Sequence, residues 1–202
     1  MRVLVACEFS GAVRDAFASR GHYAMSCDLQ QTEKPGNHYC GNVLDVLHDG
    51  WDLLIAHPPC TFLSKAGARW LYTEPGKIDE KRYAKGMDAK RFFMQLLEAP
   101  IEKIAIENPM PLNVFGLPKP QQIIEPFHYG HKYSKKTCLW LRGLPPLMRT
   151  VTVVNHGPFL PSNTGGKSRG TKTTKGIAQT KNDRSRTFAG VAQAMAQQWG
   201  AK

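Results

Sequence analysis

Short apolar runs that alternate with helical stretches constrain this chain more than any other feature. Arg2–Cys7, Tyr23–Cys27, Asp52–Ala56 and Ile101–Ile106 read as strands. Between the first two lies a helical pattern with Val13, Ala16 and Phe17 on one face, closed by Gly21. Ile78–Ala99 contains a long helical stretch, with Gly86 inside it, Phe92, Phe93, Leu96 and Leu97 as its apolar part and Pro100 stopping it. Thr187–Trp199 returns to helical spacing with Phe188, Val191, Met195 and Trp199. The alternation predicts βαβ units, hence an α/β fold with a mostly parallel sheet and helices on both faces. Sheets of this kind bind ligands at the carboxyl ends of their strands. The residues that follow each run therefore matter most.

After Ala56 the chain reads His57-Pro58-Pro59-Cys60-Thr61-Phe62-Leu63-Ser64. Proline fixes φ and has no backbone donor, so the strand stops there and Cys60 sits on a rigid turn. A lone cysteine is most often a small buried hydrophobe; a strand-end turn is a place for chemistry. After the first strand comes Glu8-Phe9-Ser10-Gly11, opening a helix, and the second strand closes on Asp28. A glycine there admits a ligand to the backbone, and an acid about 20 residues on binds ribose hydroxyls. Gly41-Asn42-Val43-Leu44-Asp45 places polar side chains near the third strand, within reach of an adenine edge. The fourth strand ends at Glu107-Asn108-Pro109, which brings a carboxylate to the same edge as Cys60. A thiolate adds to C6 of a pyrimidine and makes C5 nucleophilic, while a carboxylate beside N3 handles the charge that builds up. The base must leave its stack for a thiol to reach it.

The ordered set resembles the DNA cytosine-5 methyltransferase family. Phe9-Ser10-Gly11 is similar to its cofactor loop, Asp28 to its ribose-binding acid, and Asn42 and Asp45 to its adenine-side segment. Pro58-Pro59-Cys60 with Ser64 is similar to its nucleophile motif, and Glu107-Asn108 to its Glu-Asn motif. The stretch from Tyr129 to Leu141 stands where the family has its Gln-x-Arg-x-Arg strand, with Tyr133, Lys135 and Thr137 in the three places. The resemblance implies a Rossmann-like fold, S-adenosylmethionine as cofactor and Cys60 as nucleophile with Glu107 beside it. Cofactor contacts would come from Glu8, Phe9, Ser10, Gly11, Asp28, Asn42, Asp45 and Pro58. Substrate contacts would come from Ser64, Asn108, Tyr133, Lys135, Thr137, Lys167 and Arg169. The chain departs from the family at Val13, where a second glycine is common. It departs at His57, which replaces a small residue, and at Thr61, which replaces glutamine. Thr137 supplies neither the charge nor the bidentate fork of an arginine.

Charge is unevenly spread. Residues 1–130 are nearly neutral, at −1, whereas residues 131–202 hold 13 Lys and Arg against one acid, Asp183, a net of +12. A one-sign block of this size points to a polyanion, DNA first. The chain divides into a catalytic core over 1–142, a basic Gly/Thr/Lys-rich loop region over 143–186 and a helix over 187–202 that returns to the core. The loop region is short for target recognition, which leaves room for a protein partner. Five cysteines with no CxxC pair fit reduced thiols in the cytoplasm, and no run of 18 apolar residues calls for a membrane. Thr164-Gly165-Gly166-Lys167-Ser168 is not a phosphate loop, because Pro161 stands where its first glycine belongs. His128, His131 and Cys138 match no metal spacing. The sequence favours methyl transfer to C5 of a flipped cytosine. Two alternatives stay open: another pyrimidine substrate (RNA or a nucleotide), and a catalytically silent DNA-binding protein of the same fold.

Overall fold

A computed structural model describes residues 1–156 and 186–201. Seven strands form one sheet. They are β1 (Arg2–Ala6), β2 (Tyr23–Asp28), β3 (His38–Cys40), β4 (Leu53–Ala56), β7 (Lys103–Pro109), β8 (Gln122–Ile124) and β9 (Thr137–Arg142). Their order is β3-β2-β1-β4-β7-β9-β8. The first five are parallel, and β9 runs antiparallel between β7 and β8. A separate small hairpin pairs β5 (Tyr72–Glu74) with β6 (Lys77–Ile78). The order 3-2-1-4 followed by β7 is that of a doubly wound sheet. It reverses direction between β1 and β4, so the ligand crevice opens at the carboxyl ends of these two strands.

Alternation along each strand builds two cores. Val3, Val5, Leu53, Ile55 and Ala105 face α1 (Ala12–Ala18) and α4 (Ala189–Trp199), through Val13, Phe17, Met195 and Trp199. Leu4, Ala6, Leu54, Ala56, Ile104 and Ile106 face α3 (Glu80–Leu97), through Phe93 and Leu96. Successive side chains point to opposite faces, so a strand covered on both sides reads as a continuous apolar run. That is why β1 and β4 were legible. The short helix α2 (Ala68–Leu71) packs beside the hairpin.

Gly86 sits inside α3, where a Cβ would lie 2.2 Å from the Phe115 ring, so glycine is what lets that ring pack on the helix. Three expectations are corrected. His38–Cys40, outside the runs read as strands, is the third strand, and Val43–Asp45 is a 3-10 turn beyond it. Residues 145–156, read as the start of a loose loop, are tied down. Gln122 exchanges two hydrogen bonds with Leu147, Tyr129 donates to the Leu147 carbonyl, and Gly130 donates to Val151. Only Thr137 of the three basic-strand positions lies on a strand; Tyr133 and Lys135 precede β9. Residues 157–185 lie outside the described residues, and with them Lys167 and Arg169.

One buried cation organises the edge of the sheet. Arg14 is 1% exposed. Its guanidinium donates to Ser26 Oγ, Thr32 Oγ1, the Lys34 and Pro35 carbonyls and Asp15. It thereby fastens the β2–β3 connection over α1. A Cβ at Gly11 or at Gly36 would meet this guanidinium at 2.5 Å.

Candidate functional site

The parallel register sets the site. Ala56 of β4 pairs with Ile106 of β7, so the next residues stand side by side: His57, just past the end of β4, and Glu107, still on β7. The His57 amide bonds the Ala6 carbonyl of β1 at 2.9 Å. Pro58 and Pro59 then end the ladder, and the amides of Leu63 and Ser64 close a turn on the Cys60 carbonyl. Cys60 is half-buried at this turn. Asn108, buried on β7, donates from Nδ2 to the Pro58 carbonyl at 2.7 Å. The Pro-Pro-Cys turn is thus pinned to the Glu-Asn strand end. Ser64 is buried and bridges to Pro111, so it braces the turn from behind.

His57 is the residue that sequence reasoning noticed only as a departure. Its Nδ1 lies 2.8 Å from Glu107 Oε2, with side chains 9% and 16% exposed. An ionised carboxylate only accepts, so Nδ1 carries the proton in this bond. Burial pushes the imidazole down, but the hydrogen bond to Glu107, that residue's charge and the charge of Glu8 outweigh it and hold His57 above its ordinary value. Burial likewise pushes the Glu107 carboxyl up; the His57 hydrogen bond and charge, with the charge of Lys135, hold it below its ordinary value. Lys135 has therefore come near the pair although it is off the strand. His57 Nε2 is buried and has no hydrogen-bond partner among the described residues.

The cofactor side is built at the ends of β1 and β2. Cys7 turns the chain out of β1 with φ 58°, the one non-glycine residue in that region among those described. Such a conformation costs roughly 1–3 kcal/mol and gathers at functional sites. Burial, with the charge of Asp28 and then Cys27, pushes the Cys7 thiol up to about 12. Gly11 takes φ 71° and opens α1. Glu8 is committed internally: Oε1 accepts from the Val13 amide at 2.6 Å and Oε2 from the Arg14 amide at 3.2 Å. Ser10 donates to Glu8 Oε1 and accepts from the Ala12 amide. Phe9 is buried, and its carbonyl accepts from the Glu33 amide. Asp28 closes β2 with one oxygen on the Gln30 amide; the other takes no bond among the described residues. Asn42 caps the 3-10 turn through the Leu44 amide, and Asp45 accepts from the Tyr39 hydroxyl. Glu8, Ser10 and Asn42 thus have structural duties that their sequence positions did not reveal.

These residues fit a particular kind of nucleoside cofactor. Phosphate-binding folds leave the first helical amides bare. Here the Glu8 carboxylate covers two of them and would repel an anion. Asp28 supplies an acceptor for ribose hydroxyls at the next strand end. A phosphate-free, cationic nucleoside suits this arrangement, and a dinucleotide does not. Across the site, Thr137 spends its hydroxyl on the Lys135 carbonyl and is buried. Tyr133 and Lys135 pack around Phe188, just before α4.

A basic, aromatic groove of about 240 Å³ adjoins the Cys60 turn, lined by Phe62, Trp70, Asp79, Lys81, Arg82 and Lys85. Arg82 reaches the Thr61 carbonyl at 2.9 Å and stacks over Phe62, and Trp70 is 57% exposed. The near-neutral sum over residues 1–130 concealed this local excess of positive charge.

No family model matches the sequence, and no curated protein matches it. Among the solved structures to which the chain is similar are two at low identity. One is an E. coli prophage protein described as a DNA modification methyltransferase. It has 14% identity and a TM-score of 0.44, with 77% of this chain and 53% of that one covered. The other is a DNMT2 variant of Spodoptera frugiperda, with 15% identity and a TM-score of 0.38 over 81% of this chain and 56% of that one. The chain spans about half the length of each. Both likenesses are partial, and the functional reading rests on the site's own residues.

Proposed function

We propose that this chain methylates C5 of a pyrimidine in nucleic acid, cytosine in DNA foremost, with Cys60 as nucleophile and Glu107 facing the ring. One observation carries the reading: the Cys60 turn and the Glu107 strand end are fastened together, through Asn108 to Pro58 and His57 to Glu107. Two side chains that must act on one ring need this kind of mutual fixing. Asp28, Asn42, Asp45, Pro58 and the backbone of Phe9–Gly11 would hold S-adenosylmethionine, which supplies an electrophilic methyl group when bound. Cys60 forms a bond to C6 as a thiolate, its electron pair entering the ring. Glu107 accepts a hydrogen bond from a proton taken up from water at N3, which neutralises the charge displaced there. Once C5 has bonded the methyl group that the bound cofactor would supply, the C5 proton leaves to water, the S–C6 bond breaks and the thiolate returns.

DNA is the proposed partner, met by Lys167, Arg169 and the groove beside Cys60, in a cytoplasmic protein. A target-recognition partner remains part of the proposal, given how little chain is left for reading sequence. Thr137, buried and self-bonded where an arginine would reach the base, favours a second reading, another pyrimidine in RNA or a free nucleotide. The test is incubation of methyl-labelled S-adenosylmethionine with duplex DNA, RNA and pyrimidine nucleotides, followed by nucleoside mass spectrometry. Expected are a C5-methylated pyrimidine, its loss in Cys60→Ala, and a covalent adduct with a 5-fluorocytosine duplex. Methyl transfer that survives Cys60→Ala would place the chemistry on another atom. Absence of product from all three substrate classes would leave the silent DNA-binding reading.

A further inference from the structure

We infer that His57 is a positioning residue for Glu107: it takes one carboxylate oxygen and leaves only Oε1 to meet the substrate ring. The inference rests on the methyltransferase reading and deepens it. The geometry is specific. His57 is clamped by its amide on the Ala6 carbonyl and by Pro58 immediately after it, so the ring has little freedom of its own. Its Nδ1 meets Glu107 Oε2 at 2.8 Å across the β4–β7 junction. Oε1 accepts no hydrogen bond among the described residues. A carboxylate free to rotate would offer both oxygens to a pyrimidine edge; one tied at Oε2 offers a single acceptor in a fixed direction. The buried and unpartnered Nε2 marks the same ring as more than packing. Leaving such a nitrogen unpaired is unfavourable, and native interiors rarely retain one without a use.

The arrangement also makes the site sensitive to protonation. Three charged groups bear on His57: Glu107 on β7, Glu8 in the loop after β1, and Lys135 before β9. Two favour the imidazolium and Lys135 opposes it. While His57 is protonated, the buried Glu107 carboxylate has its counter-charge. When the proton leaves, that carboxylate keeps only the charge of Lys135 as compensation, and its orientation and charge are less well held.

The experiment compares wild type with His57→Ala and His57→Asn, the latter keeping an N–H donor near the place of Nδ1. For His57→Ala a loss of roughly 10–100-fold in kcat is expected, with cofactor affinity unchanged, as for a misplaced catalytic group. His57→Asn should recover much of kcat at low pH. It should also lack the fall in kcat expected of wild type as pH climbs through the His57 value, which lies above the ordinary 6.5. A folded His57→Asn whose pH profile matches wild type would overturn the inference. A second readout is independent of turnover. By NMR the His57 imidazole should titrate above its ordinary value in wild type and drop in Glu107→Gln; a value at or below ordinary in wild type overturns the pairing. If wild type methylates no pyrimidine substrate, the methyltransferase reading falls, and the NMR titration alone decides whether His57 holds Glu107.

Discussion

Replacing Glu8 separates two uses of one carboxylate. In the sequence Glu8 stands in the cofactor loop; in the structure it caps the first turn of α1. Glu8→Ala would strand the Val13 and Arg14 amides in a buried place. Loss of an N-terminal cap costs about 0.5–2 kcal/mol, and an orphaned buried donor costs about 1–3 kcal/mol. Because the two losses overlap, a destabilisation on the order of 3 kcal/mol is expected. For a chain of this size a melting temperature falls roughly 2–4 °C per kcal/mol, so a drop of about 6–12 °C follows. Glu8→Gln keeps one acceptor oxygen for Val13 and should lose about half as much. Differential scanning calorimetry of the three proteins, with and without S-adenosylmethionine, measures the effect. An unchanged melting temperature in Glu8→Ala together with lost cofactor binding would refute the capping argument and restore Glu8 to the ligand.

Other outcomes are equally definite. Asp28→Ala should weaken S-adenosylmethionine by about 10–100-fold in calorimetry, as expected for lost hydrogen bonds to a charged group; unchanged affinity would move the ribose elsewhere. Gly86→Ala should destabilise the protein in urea titration, because overpacking of about 1–3 kcal/mol against Phe115 exceeds the roughly 1 kcal/mol gain in helix propensity. Trimming the ring with Phe115→Leu should reverse the sign of the glycine substitution. Burial lifts the thiols of Cys7 and Cys27 to about 12 and that of Cys138 to about 11, so alkylation at pH 8 should mark the exposed Cys40 and the half-buried Cys60 first. Prior labelling of Cys27 or Cys138, read by peptide mass spectrometry, would contradict the packing. The His57–Glu107 pair should add most to stability between pH 4.5 and 6.5, the two ordinary values. The raised His57 contribution is lost as pH climbs through its folded value, and the lowered Glu107 contribution is lost as pH falls through its own. The melting-temperature difference between wild type and His57→Asn across pH reports this; a flat difference would deny the linkage.

Strands buried on both faces were readable because every residue of β4, and of β1 after Arg2, had to be apolar, whatever its direction. The edge strand β3 was not: His38-Tyr39-Cys40 is short and polar, and it becomes a strand only because β2 offers it an open ladder. Val43 and Leu47, four apart and both buried, imitate a strand in a plain reading but belong to a tight turn and its continuation. The reason for a glycine inside α3, the Phe115 ring, lies 29 residues away from Gly86 and leaves no local signal. The candidate site was readable one strand end at a time, since Pro-Pro and Glu-Asn are local signals. Its cross-links were not. His57 and Glu107 are fifty residues apart, and only the register of β4 against β7 makes them neighbours. The usable signal was the presence of an imidazole where the resembled family keeps something small. Similarly, Glu8 could be seen as an acid near a helix, but not as the group that closes that helix to anions.

The Arg14 guanidinium ties together the evolutionary fates of three positions. Gly11 and Gly36 both have a positive φ, and at both the same cation also fills the volume where a Cβ would stand. A drift to alanine at either place is open only to a lineage that has first shortened residue 14, and such a lineage surrenders the carbonyl contacts that hold the β2–β3 connection. Relatives of this chain should therefore keep or lose Gly11, Arg14 and Gly36 as a set. Because that set belongs to the scaffold rather than the reaction, it should outlast Cys60 in descendants that have abandoned catalysis, and it offers a way to trace them.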